Sequence, residues 1–135
     1  MCDCPNWLGG LIERRNYKWR CKIKNERLIE LLERDHTNDN DNERLAMFTI
    51  FAGNEDLYSK VDKIYDFKER SINLDVFEEV DLSSGAYQLV KLAFNLYSFQ
   101  NEANVAEVFR SLDNENYKLA MKAIDVRFNK VQLLN

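Results

Sequence analysis

An all-α fold is predicted by three observations. Apolar residues recur at three- and four-residue steps through most of the chain after Asn25, breakers are scarce, with one Pro and four Gly in 135 residues, and the hydrophobic share is 45%. A chain of this length buries enough apolar surface to fold without disulfides or metals. The expected architecture is one globule of six or seven short helices, connected by brief loops and turning a corner at Gly53-Asn54.

The first 23 residues stand apart, as a basic arm with Cys2, Cys4, Cys21, Trp7 and Trp19 ahead of an acidic helical domain over 24–135. Residues 1–24 hold six basic and two acidic side chains, a net +4, which leaves 13 basic and 21 acidic residues elsewhere, a net −8. Basic residues interleaved with Trp7, Tyr17 and Trp19 suit a phosphate backbone or an anionic membrane surface. A loosely packed N-terminal segment is the plainer reading.

From Asn25, NERLIELLERD reads as an amphipathic helix with Leu28, Ile29, Leu31 and Leu32 on its inner face and Asn25 as its cap. The run His36 to Asn42 is expected to end it as the most exposed loop. The next helix, from Asn42 or Glu43 to Ala52, is apolar almost all round and belongs at the centre of the packing. Gly53 is expected to close it in the left-handed conformation, and Asn54, Glu55 and Asp56 to open another through Leu57, Val61, Ile64 and Tyr65.

Residues 74–80 read as a short helix, with a strand as the alternative. Ser83-Ser84-Gly85 prepares a long helix from Ala86 to about Phe99 with both faces buried. A further helix spans about Ala103 to Leu112 with Val105, Val108, Phe109 and Leu112 on one face. Asp113 caps the last, in which Tyr117, Ala120, Met121, Ile124 and Phe128 form the apolar stripe.

Reaction chemistry is not spelled out. Glu33 and His36 have metal-ligand spacing, but the chain has a single histidine. Asp39, Asp41 and Glu43 imitate the start of a calcium loop, yet Arg44 and Ile50 stand where it needs Gly and Glu. The three cysteines lack the second pair of a zinc site, and neither a Walker loop nor a nucleophile elbow is present. No catalytic residue, metal or cofactor is therefore assigned. A helix-turn-helix reading of the Gly53 corner fails on charge, because the second helix carries Glu55, Asp56, Asp62 and Asp66 and would be repelled by phosphates.

The strings FTIFAGNEDLYSKVDKIYDF, LVKLAFNLYSF and LAMKAIDVRFN resemble a family of small proteins of unknown function from Gram-positive bacteria and their phages, over about Lys24 to Asn129. AGNEDLY is the most specific part, and the first twenty residues depart from the pattern. The resemblance implies a helical fold and a bacterial or phage cytoplasmic setting, and brings no catalytic residues.

The leading expectation is a non-enzymatic protein-binding module, a phage or mobile-element inhibitor of a host nucleic-acid-handling or defence protein. Its acidic surface would meet a basic host protein through Glu55, Asp56, Asp62, Asp66, Glu78 and Glu79. The alternatives are a small enzyme or ligand-binding protein with a polar pocket built from Asn54, Tyr58 and Tyr65, and a nucleic-acid or membrane contact through the basic arm. The N-terminus has no signal-like apolar run and no segment is long enough to span a bilayer, so a cytoplasmic protein is expected.

Overall fold

The computed structural model describes residues 25–128. Helices dominate: α1 (Glu26–Asp35), α2 (Asn42–Gly53), α3 (Glu55–Ser59), α4 (Val61–Ile64), α5 (Val76–Glu79), α6 (Ser84–Tyr97), α7 (Val105–Arg110) and α8 (Asn114–Phe128). A two-stranded antiparallel hairpin, β1 (Tyr65–Asp66) and β2 (Ser71–Ile72), lies between α4 and α5, with Tyr65 opposite Ile72 and Asp66 opposite Ser71.

The middle of the molecule is α2, where every residue from Leu45 to Ala52 is buried. It packs against α8, α6 and α1. A helix apolar on all sides has no solvent face and must be surrounded. Caps fix the starts: Asn25 receives Arg27 N and Leu28 N, Asp41 receives Arg44 N, Ser83 receives Ala86 N, and Asp113 receives Asn116 N. Arg127 donates to the Leu96 carbonyl at 2.8 Å and lies 3.6 Å from Glu43, which ties the end of α8 to α6 and α2.

Several expectations are corrected. Leu57, Val61, Ile64 and Tyr65 are buried as their spacing implies, yet they do not share one helix, because α3 ends at Ser59, with Lys60 as its cap, and Tyr65 is already extended. Gly53 is not left-handed. It is the last residue of α2, followed by an extended Asn54, and its missing side chain makes room for Leu119 of α8. Within the expected loop, Thr37 is buried, and His36 takes the left-handed position that closes α1, with φ 57°.

The long helix stops at Tyr97, leaving Phe99 86% exposed, and Val105 is exposed rather than on the buried face of α7. In α8 the buried residues are Ala120, Ala123 and Val126, while Tyr117, Met121 and Phe128 are exposed. The small alanines admit the close approach of α2, so the larger apolar residues are turned away. Residues 74–80 contain the short helix α5. The basic arm and its cysteines lie outside the described residues.

Candidate functional site

Asp35, the last residue of α1, is fully buried and must be compensated, since a buried carboxylate without partners is strongly unfavourable. Its Oδ1 accepts the Tyr65 hydroxyl at 2.6 Å and Arg70 Nε at 3.1 Å. Its Oδ2 accepts the Thr37 hydroxyl at 2.5 Å and Arg70 Nη2 at 3.2 Å, with Arg44 Nε 3.6 Å away. Arg44 reaches further, donating to Tyr65 Oη, Asp41 and the Arg70 carbonyl. The group thereby joins α1, α2 and the hairpin.

The Tyr65 hydroxyl is pushed well above the usual tyrosine range, first by burial and also by its bond to Asp35. Arg70 is likewise pushed up by its hydrogen bonds to Asp35. Arg70 has φ 56°, a conformation that L-residues with side chains adopt rarely. Its two-pronged contact with Asp35 and its carbonyl bond to Arg44 hold it there. Asp66 begins the turn by accepting Lys68 N at 2.9 Å and Glu69 N at 3.0 Å.

Against this anchored hairpin lies an open groove of about 820 Å³, bounded by α4, both strands and the end of α5. Asp62, Asp66 and Glu79 line it together with Lys63, Lys68 and Asn73. Asp62 is ion-paired with Arg34, whose guanidinium lies 3.9 Å over the Phe67 ring, and Phe67 stacks on the core residue Phe48. One wall is thus rigidly backed. Along residues 62–81 seven acidic and three basic residues occur, all exposed at the surface, a net −4 for the segment, while the groove lining itself holds three acidic and two basic side chains.

The residues singled out from sequence divide between two places. Asp62, Tyr65, Asp66 and Glu79 line the groove and Glu78 neighbours it on α5. The carboxylates of Glu78 and Glu79 make no hydrogen bond or ion pair among the described residues. Glu55 bonds to Arg27 at 2.7 Å, which holds its carboxyl below the usual range, and Asp56 pairs with Lys60 at 2.9 Å.

Asn54 accepts Leu57 N at 3.0 Å and donates to Asn116 at 3.1 Å, while Tyr58 donates to Glu30, a bond that raises its pKa. Neither lines the groove. Asp35, Thr37, Arg44 and Arg70 were not singled out. Only the polar run after α1 hints at them, because their contacts join positions up to 35 residues apart.

Chemically, the Asp35 group is a structural anchor. Both carboxylate oxygens of Asp35 and both hydroxyls are engaged within the group, so it positions the hairpin, with Arg70 partly open to water. Among the described residues no set of three or more His, Cys, Asp or Glu is placed to hold a metal ion, and no helix is long and apolar enough to cross a membrane.

A model described as a family of unknown function, DUF6075, matches residues 16–133. The match begins ahead of Lys24, within the basic arm. No curated protein and no solved structure matches the chain.

Proposed function

We propose that this chain, which belongs to the DUF6075 family, is a protein-binding module whose acidic hairpin face receives a basic segment of a partner protein. The observation that carries the reading is the concentration of exposed carboxylates along residues 62–81, three of which, Asp62, Asp66 and Glu79, line a groove whose backing is held by Asp35. Exposed acidic groups on a fixed surface steer and orient a cationic partner without ordering themselves on binding. Lys63 and Lys68 within the same lining add register by rejecting a partner whose cations fall opposite them.

The resemblance to small proteins of Gram-positive bacteria and phages and the acidic body support a more specific role. In that role the protein, cytoplasmic and encoded by a phage or mobile element, occupies the basic surface of a host nucleic-acid-handling or defence enzyme and excludes its substrate. The test is affinity capture from a Gram-positive bacterial lysate with the wild-type chain and with Asp66→Lys/Glu79→Lys, at low and high salt. The reading expects a basic nucleic-acid enzyme that is captured by the wild type and lost both with salt and with the double substitution. Capture unaffected by the substitutions would overturn it.

A further inference from the structure

Helix α8 carries a second apolar face that the fold covers only in part, with Ile124 resting against the edge of the core. Tyr117 is 48% exposed, Met121 37% and Phe128 54%, with Ile124 partly exposed between them. At 100° per residue these four fall in one narrow stripe, beside the buried Ala120 and turned away from Ala123 and Val126. The Tyr117 ring rests edge-on against Phe109 at 5.7 Å, which steadies one end of the stripe without covering it. An apolar seam of this kind, with charges beside it, is the pattern by which helices pair.

The charges select the partner. Lettered as heptads, Tyr117 and Ile124 take d, Met121 and Phe128 take a, and Lys118 and Asp125 both take e. In an antiparallel pair the e positions of the two helices face each other. A two-fold axis between Lys122 and Ala123 sets Tyr117 against Phe128 and Met121 against Ile124, and it brings Lys118 of each copy to Asp125 of the other. A parallel pair would place Asp125 beside Ala120, where it has no cation. Within the fold Lys118 is 75% exposed and has only a marginal contact with Glu115 at 4.0 Å, and Asp125 makes no ion pair among the described residues. Both are available.

We propose that the protein forms a symmetric homodimer through antiparallel pairing of α8, with the Tyr117–Met121–Ile124–Phe128 seam as its core and two Lys118–Asp125 pairs setting its direction. The hairpin face is a separate surface, so the inference does not depend on the binding role argued for it.

Sedimentation equilibrium of the full chain tests the proposal. The wild type is expected to be dimeric at about 100 µM, and Met121→Glu to be monomeric while keeping its helical circular dichroism. Lys118→Asp or Asp125→Lys alone should weaken the dimer about tenfold by creating like-charge contacts, and the double exchange should restore it. The charge variants lie on the surface and keep the test decisive should Met121→Glu fail to fold. A monomeric full chain at that concentration would overturn the proposal, whether the seam is bare or covered by residues 1–24. So would a dimer indifferent to Met121→Glu, or a double exchange that fails to restore pairing.

Discussion

The hydroxyl of Tyr65 donates to the fully buried carboxylate of Asp35 at 2.6 Å, and this contact links the end of the first helix to the first strand of the hairpin. Replacing Tyr65 with Phe keeps the ring, which sits edge-on to Phe48 at 5.0 Å, and removes the hydroxyl that donates to Asp35 and accepts from Arg44 Nε. The variant is expected to lose about 1 to 2 kcal/mol in urea unfolding, the usual range when a buried charged acceptor loses a hydrogen bond. Hydrogen exchange should then quicken at the hairpin before it quickens in α2.

Alkaline stability follows from the same residue. Burial raises the Tyr65 pKa above the tyrosine value of about 10 that holds in the unfolded chain. As pH rises, the unfolded chain releases this proton first, so the contribution of Tyr65 is complete below about pH 10 and declines above it. Unfolding free energy measured from pH 8 to pH 11 should fall more steeply for the wild type than for Tyr65→Phe. Equal slopes would show that Tyr65 titrates normally.

Asp35→Ala is expected to be more damaging. It leaves Tyr65 and Thr37 without their acceptor, and Arg44 and Arg70 lose the carboxylate between them. Removing one member of a buried ion pair costs about 3 to 5 kcal/mol, and the lower end applies because Arg70 is partly open to water. Its urea midpoint should drop further than that of Tyr65→Phe, and Arg70, released from its left-handed conformation, should free the turn to proteolysis. A second substitution, Arg70→Gly, should add little to Asp35→Ala, since both act through one contact.

The local signals in the sequence were reliable where a residue's neighbours along the chain decide its state. Asn25, Asn54, Ser83 and Asp113 cap the helices they precede, and the apolar run of α2 marks the centre. The failures are contacts between distant segments. Tyr65 continues a helical spacing but is drawn into a strand by Asp35 and Ile72. Tyr117, Met121 and Phe128 outweigh Ala120 and Ala123 in any hydrophobic count, although the alanines are what lets α2 and α8 meet. For the site, single residues such as Asp66 and Glu79 were visible as charges, whereas the groove that gathers them exists only once the hairpin is pinned.

Gly53 gives the sharpest separation of two physical explanations. A left-handed glycine would make every side chain unfavourable there, including Ala. The backbone is instead ordinary, and a Cβ at this position meets the methyl groups of Leu119. Because those methyls end a flexible, half-buried side chain, Gly53→Ala should change stability by less than about 0.5 kcal/mol, the crowding offset by the better helix propensity of Ala. Gly53→Val, with two further methyls, should cost about 1 to 2 kcal/mol through overpacking. Leu119→Ala should relieve most of that penalty in a double-mutant cycle read by urea unfolding. If Val remains equally costly with Ala at position 119, the clash with α8 is not its source.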